Sequence, residues 1–316
     1  GSWGKTTTKR LIASILSRVG NVHKSPGNYN TEYGLPLALL EMDEGADFGV
    51  FELGLQYPDD IATLSKALRP THGLITGAGR VHLENFKDVE EVAREKLKLT
   101  EGMVPGSTVV LNADSKELRN LSRKINDYEF VEYGTRAGDA EYYTSEVSYG
   151  KNGISLILEK TSEGDGADLN YFPLKLESKL LTRADANNVA AASTVALELG
   201  VSPAAVREGV GVNPLPQRMN PISFPGGTIV DDTYNANPEA TKNALAYMER
   251  MNVSDKKYFV FGDMLELGKE SSRYHRELAT YVRTAGVDRV LAVGNYTKVL
   301  VQELNLKARK QDNTTG

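Results

Sequence analysis

The sequence predicts an α/β protein: a central, mostly parallel sheet of the phosphate-loop type flanked by helices, followed by a smaller Rossmann-like α/β domain. Three observations predict it. Short apolar runs alternate with amphipathic stretches along most of the 316 residues, the signature of strand–helix–strand units. The chain opens on Gly1-Ser2-Trp3-Gly4-Lys5-Thr6-Thr7-Thr8, which reads as the back half of a phosphate-binding loop. Pro214-Leu215-Pro216 then interrupts the alternation as a short stiff joint, and the pattern restarts beyond it. The expected domains are therefore residues 1–214 and 215–316, in keeping with a length prior of about 150 residues each.

In the opening loop, Gly1 and Gly4 free the backbone to curl so that successive N–H groups point inward. Lys5 adds a cation for the β- and γ-phosphates, and Thr6 offers a hydroxyl to Mg²⁺. A helix should follow and favour the anion at its N-terminus. Leu11, Ile12, Ile15, Leu16 and Val19 supply its apolar stripe. The alternative is that Gly1-Ser2 is a cloning remnant, leaving only a chance Gly-Lys-Thr. A parallel sheet normally places the strand before such a loop at its centre. That strand is absent here, so the chain is expected to begin inside a domain of a longer protein.

The expected strands of the first domain are 48–53, 73–76, 108–112 and 130–133. Its expected helices are 35–42, 59–68, 89–103 and 115–126. From Glu141 to Leu176 the pattern changes to alternation, as in Ile154-Ser155-Leu156-Ile157-Leu158, around a Gly/Asp-rich turn. That predicts antiparallel hairpin structure added to the sheet. Helices are expected at 185–199 and 203–210. In the second domain the expected order is strand 228–231, helix 238–251, strand 258–261, helix 272–285 and strand 289–293. The polar stretch 307–316 carries no core-forming pattern, so this domain is expected to be cut short.

Composition narrows the function. Charged residues make up 25% and hydrophobic ones 40%, as in a soluble globular protein. A net charge of −5 gives no reason to expect nucleic-acid or membrane-surface binding, and no apolar run approaches the ~20 residues of a membrane span. With no cysteine there is no disulfide or thiol chemistry, and four histidines alone make a structural zinc site a poor fit.

Several polar residues stand directly after expected strands, where open α/β sheets bind ligands. Glu52 ends the apolar run Val50-Phe51-Glu52-Leu53. It reads either as a Mg²⁺ ligand or as a strand-end partner of a lysine. His82 reads as a metal ligand, a general base or a surface loop residue. Lys96, within Arg94-Glu95-Lys96-Leu97-Lys98, reads on its own as a solvated lysine of a charged helix. In Asp231-Asp232-Thr233-Tyr234-Asn235-Ala236-Asn237-Pro238, two acidic residues after a strand suit ribose hydroxyls, while Asn237 before Pro238 suits a helix cap.

Taken in order, these motifs resemble the Mur ligase family, ATP-dependent amide-bond-forming enzymes of cell-wall peptide assembly. Gly1 to Lys9 is similar to the family's Gly-Ser-x-Gly-Lys-Thr-Thr-Thr-Lys loop, and Gly27-Asn28-Tyr29-Asn30 to a Gly-Asn-x-Asn segment. Asp231 to Pro238, with Gly262-Asp263-Met264-Leu265-Glu266-Leu267-Gly268 and His275, matches most specifically the members that join D-alanyl-D-alanine to a UDP-linked tripeptide.

The resemblance implies roles position by position. Gly1, Gly4, Lys5, Thr6 and Thr7 would hold the phosphates of ATP. Thr6 and Glu52 would hold one Mg²⁺ and His82 a second. Lys96 would be a carbamoylated lysine at the metal site, Asn188 the adenine contact, Arg218 the cation for the γ-phosphate and Asp232 the ribose ligand. Asn28, Asn30, Tyr234, Asn235 and Asn237 would bind substrate. The resemblance also implies an acyl-phosphate mechanism releasing ADP and phosphate, small-molecule substrates (a UDP-sugar peptide and D-alanyl-D-alanine), a cytoplasmic location and a monomer. A further N-terminal domain would hold the UDP-sugar. The alternatives are a related ligase with another amino-acid acceptor and a non-catalytic nucleotide-binding module. Departures from the family pattern stand at Thr31, at Tyr57 to Asp60, at Gly77 (usually Asn), at Lys98 (often Glu) and at Ala184-Asp185 (usually His-Asn).

Overall fold

The computed structural model describes residues 1–81, 84–150, 152–161, 172–251, 253 and 255–312, with side chains up to 305. The chain forms two compact units. The first comprises Gly1–Gly79 and Asn85–Pro214. The second runs from Leu215 onward and takes in Arg80, Val81 and Glu84.

The first unit begins with α1 (Lys5–Leu16), whose apolar residues Leu11, Ile12, Ile15 and Leu16 are all buried. Next come β1 (Val22–Lys24), α2 (Gly34–Leu40), β2 (Phe48–Val50), α3 (Asp60–Leu68) and β3 (His72–Ile75). α4 (Val89–Leu97) and a 3₁₀ turn (Lys98–Gly102) lead to β4 (Thr108–Asn112), α5 (Lys116–Ser122) and β5 (Glu129–Gly134). β6 (Tyr142–Gly150), β7 (Gly153–Lys160) and β8 (Leu174–Ser178) precede α6 (Arg183–Glu198) and α7 (Pro203–Gly209).

β1 and β2 pair in parallel, and the other strands form one sheet in the order β3-β4-β5-β6-β7-β8. β3 to β6 are parallel and β7 and β8 antiparallel. The two kinds of strand bury differently, as their sequences require. Val109 to Asn112 of β4 are all buried, because helices cover both faces. In β8, Leu174, Leu176 and Ser178 are buried while Lys175 and Glu177 are exposed, a strand with only one face in the core. α6 starts on a capping box: Asp185 N donates to Thr182 Oγ1 at 3.1 Å, and Thr182 N donates back to Asp185 Oδ2 at 3.0 Å. Its small-residue face, with Val189, Ala190 and Ala192, packs in one core with Leu11 and Ile15 of α1.

The second unit carries an antiparallel hairpin of β9 (Asn220–Phe224) and β10 (Gly227–Asp231), then α8 (Pro238–Arg250), β11 (Tyr258–Gly262), α9 (Ser271–Thr284), β12 (Arg289–Val293) and α10 (Thr297–Asp312). β11 and β12 pair in parallel, and Phe259, Phe261, Leu245, Leu278 and Leu300 share a core. α10 extends through Asp312. The polar stretch from 307 to 312 is therefore helical, carried on a helix already anchored by Leu300.

Asp263, directly after β11, ties this unit together. Its carboxylate accepts the N–H groups of Asn295 (2.7 Å), Tyr296 (3.0 Å) and Thr297 (2.8 Å) at the start of α10. Burial alone would raise its pKa, but the three backbone donors together hold it below the ordinary value. A depressed carboxylate stabilises the fold above its unfolded pKa, and that contribution is lost as pH falls toward the folded value. Asp263→Ala should lower the unit's stability at pH 7 by about 1–3 kcal/mol. The gap from wild type should narrow as pH drops below about 4. Urea unfolding at both pH values measures it, and a pH-independent gap would contradict this account.

Candidate active site

The candidate phosphate loop at residues 1–8 is pinned to the carboxyl end of β3. Ser2 N donates to Gly77 O at 2.9 Å, Thr76 Oγ1 to Trp3 O at 2.6 Å, and Gly79 N to Ser2 Oγ at 3.0 Å. Lys5 Nζ reaches back to Gly1 O at 2.9 Å, and Thr6 and Thr7 lie in the first turn of α1. Gly4 has φ 73°, a left-handed conformation that disfavours a side chain. A Cβ there would also stand 2.2 Å from Asn188 Oδ1. The loop and the adenine-contact candidate on α6 are thus in direct contact. Gly77, where the family usually has Asn, has φ 154°, and a Cβ on it would lie 2.9 Å from the Trp3 indole. The departure at 77 accommodates the tryptophan of the loop.

Glu52 follows β2 and is 6% exposed. Its N–H donates to Ser25 Oγ at 3.3 Å, and its Oε1 accepts from Asn30 Nδ2 at 2.8 Å. Lys9 Nζ lies 3.8 Å from Oε2. Lys9 spends its hydrogens elsewhere, donating to Ser25 O (2.8 Å), Ser25 Oγ (3.3 Å) and Gly27 O (2.9 Å). The ammonium therefore offsets the carboxylate charge, while Oε2 is left buried with no hydrogen-bond partner. That orphaned oxygen fits a cation. Among the described residues no cluster of three or more His, Cys, Asp or Glu forms a protein-only metal cage. One carboxylate completed by phosphate oxygens is the usual arrangement for Mg²⁺. Glu52 thus has the lysine neighbour of the strand-end reading, and its open lone pair leaves room for the cation of the other. Lys9 carried no assigned role in the sequence. Its position four residues after Lys5, on the same helix face, is the signal that could have marked it.

Lys96 lies on α4 and is 3% exposed, not solvated as its charged neighbours suggest. Burial, and secondarily the Lys5 ammonium, hold its amine well below the ordinary lysine range. Lys96, Lys5, Lys9, Glu52, Gly1 and Thr76 all line one cavity of about 430 Å³, to which β2 and β3 both contribute. Two further departures from the family pattern compensate each other. Lys98 Nζ sits 2.6 Å from Asp59 Oδ1 and 2.5 Å from Glu95 Oε1, and Asp59 takes φ 67° in place of the family's glycine-containing turn.

Asn28 is exposed and Asn30 half-buried, the latter anchored by Gly54 N donating to its carbonyl at 2.6 Å. His82 lies outside the described residues. In the second unit, the Arg218 guanidinium stacks 3.9 Å over the Tyr234 ring. Asp232 Oδ1 accepts from Met219 N at 3.0 Å, and Tyr234 N donates to Gln217 O at 3.1 Å, so the Arg218 segment and the segment after β10 form one cluster. Asn235 Oδ1 accepts from Ala236 N (2.8 Å), and Asn237 caps α8 through Ala240 N (2.8 Å), the capping role its sequence position suggested.

Residues 1–196 match the model of the Mur ligase middle domain, and residues 217–314 that of the Mur ligase glutamate ligase domain. The UDP-N-acetylmuramoyl-tripeptide–D-alanyl-D-alanine ligase of Escherichia coli K12 is 28% identical over 302 residues, covering 95% of this chain and 64% of that protein. A crystal structure of MurF from Acinetobacter baumannii superposes with a TM-score of 0.85 at 26% identity, over 96% of this chain and 64% of that one. MurF ligase from Thermotoga maritima in complex with ADP gives 0.82 at 27% identity, over 95% of this chain and 67% of that one. The chain thus spans just under two thirds of the length of the E. coli relative. With both of its halves matched by the family's own domains, this chain belongs to the Mur ligase family.

Proposed function

We propose that this chain carries the ATP-dependent chemistry of a ligase joining D-alanyl-D-alanine to a UDP-N-acetylmuramoyl-tripeptide in peptidoglycan precursor synthesis. The observation that carries the reading is the pair of buried charged side chains near the loop: Glu52, with a carboxylate oxygen that has no hydrogen-bond partner, and Lys96, which line one cavity together with Lys5 and many apolar residues of the neighbouring strands and helices. The names of the E. coli relative and of the MurF structures support the choice of substrates.

In the first step a carboxylate oxygen of the tripeptide attacks the γ-phosphorus of ATP. The bond to the β,γ-bridging oxygen breaks, giving an acyl phosphate and ADP. Lys5 and the loop N–H groups hold the phosphates, and Arg218 supplies a further cation to the transferring group. Glu52 and Thr6 would hold one Mg²⁺, with His82 and a carbamate on Lys96 at a second. Mg²⁺ bound there neutralises charge on the phosphate oxygens. Asn188 contacts the adenine, and Asp232 accepts from a ribose hydroxyl. In the second step the amine of D-alanyl-D-alanine attacks the carbonyl carbon, the carbon–oxygen bond to phosphate breaks, and the amine proton passes to solvent. Asn28, Asn30, Tyr234, Asn235 and Asn237 line the substrate side. The reaction is placed in the cytoplasm, and the enzyme is taken to act as a monomer. No helix among the described residues is long and apolar enough to cross a membrane.

The test is ADP release with UDP-N-acetylmuramoyl-tripeptide and a panel of amine acceptors. The expected result is turnover that depends on D-alanyl-D-alanine. Turnover dependent on a different amino acid would reassign the acceptor, and ATP binding without turnover for any acceptor would leave a nucleotide-binding module.

A further inference from the structure

Lys9 is a buried cation with no part in either step of the reaction. It lies four residues after Lys5 on α1, one turn farther along the same helix face, and is 7% exposed. An ammonium has three hydrogens to give. Three acceptors stand within reach of them: Ser25 O at 2.8 Å, Ser25 Oγ at 3.3 Å and Gly27 O at 2.9 Å. None of these belongs to Glu52, although Lys9 Nζ is only 3.8 Å from its Oε2. The turn that holds the ammonium is itself fixed. Ser25 N donates to Val50 O at 3.0 Å, at the end of β2, and Ser25 Oγ also accepts from Glu52 N at 3.3 Å. The Asn30 amide takes the other carboxylate oxygen, Oε1, at 2.8 Å. Lys9 thus gives Glu52 a neighbouring charge without a hydrogen bond, and Oε2 keeps its lone pairs.

A cation seated on Oε2 would lie within about 6 Å of the Lys9 nitrogen, since a Mg–oxygen bond adds only ~2.1 Å. Like charges that close in a protein interior repel by more than the thermal energy. The Lys5 ammonium, on the same face of α1, adds to the repulsion. Phosphate reverses the balance, because its charge attracts the metal and both lysines. A lysine hydrogen-bonded to Oε2 would block the metal outright. An apolar residue in its place would leave a buried carboxylate open to any divalent cation. We propose that Lys9 is a positioning residue for Glu52: held off by Ser25 and Gly27, it keeps a divalent cation from settling on Oε2 alone and admits one together with nucleotide phosphate. The proposal rests on Glu52 being a metal ligand.

Manganese(II), whose electron paramagnetic resonance signal reports the free ion, is the probe. Without nucleotide, the wild type should bind Mn²⁺ no more tightly than the millimolar range. Lys9→Met keeps the stem and removes the charge. It should bind Mn²⁺ about tenfold more tightly, the scale of one like charge removed at this distance. The gain should vanish when Glu52→Gln is added, because the amide offers the metal no anionic oxygen. If Lys9→Met does not fold, Lys9→Gln carries the comparison, since its amide still donates to the Ser25 or Gly27 carbonyl. A merely structural Lys9 would give the opposite sign, because Glu52 would lose its fixed surroundings and bind the ion less well. Weaker or unchanged Mn²⁺ binding in a folded, uncharged Lys9 variant would overturn the proposal. So would a gain that persists with Glu52→Gln, or micromolar binding by the nucleotide-free wild type. Calorimetry with Mg·ADP separates these failures from that of the metal reading. An affinity weakened by Glu52→Gln keeps Glu52 as a ligand, whereas an unchanged affinity removes that reading and the proposal with it.

Discussion

Replacing Lys5 by alanine is expected to cut ADP release by a factor of about 10²–10³, the usual loss when one electrostatic contact to a developing charge is removed. Lys5 is the first residue of α1, and its ammonium rests on Gly1 O inside the loop, 2.9 Å away. It is thus already inside the curl of N–H groups where phosphates would sit. Alanine keeps the helix start intact, since it is the best helix former. The melting temperature should therefore stay near that of wild type while turnover falls. Lys5→Arg should recover little, because the broad guanidinium fork does not fit the space of a compact ammonium. Steady-state ADP release and thermal unfolding of the three proteins give the answer. An alanine variant that is fully active would mean that the loop does not act on phosphate.

How much of this was legible in the residues differs from element to element. β4 and β8 declared themselves, one as an unbroken apolar run and the other as strict alternation, because burial on two faces or on one dictates composition. The start of α8 was readable from Asn237-Pro238, a cap followed by a first-turn proline. β1 was not. Its three residues Val22, His23 and Lys24 hold no apolar pattern, and parallel pairing with β2 alone makes them a strand. β9 was hidden by Pro221, which a two-stranded antiparallel ribbon tolerates on its open edge. α10 was missed because its C-terminal turns are polar and only tertiary anchoring, as by Leu300, reveals the helix.

The candidate site was legible in a different way. Its loop could be read from Gly and Lys spacing, since the curl itself demands those residues. The roles of charged residues depended on burial, which no local window reports. Lys96 and Lys98 sit two residues apart in one charged stretch, yet one is enclosed in the cavity wall and the other bridges Asp59 and Glu95. Departures likewise made sense only in pairs: Asp59 with Lys98, and Gly77 with Trp3.

The second large effect is expected at Lys96. An ammonium that is 3% exposed, with Lys5 as a like-charged neighbour, has little to stabilise it, and both causes push the amine toward its neutral form. A neutral amine can attack carbon dioxide, forming a nitrogen–carbon bond and releasing one proton, and so become an anionic carbamate. In the cavity shared with Lys5 and Lys9, that anion would lie beside cations instead of adding to them. Lys96→Ala should therefore lower ADP release by at least about 10²-fold, with KM for ATP changed far less, because the loss falls on the transferring charge. Lys96→Arg should be equally inactive, as guanidinium does not form the carbamate. Acetate or propionate at millimolar concentration should restore part of the activity of the alanine variant and none of that of the arginine variant, whose side chain fills the space. Carbon-13 NMR of the wild type under labelled bicarbonate should show a carbamate resonance that Lys96→Ala lacks. Full activity in Lys96→Ala would reduce this residue to a buried amine without a part in the reaction. Lost activity with no rescue and no carbamate signal would make its role one of packing.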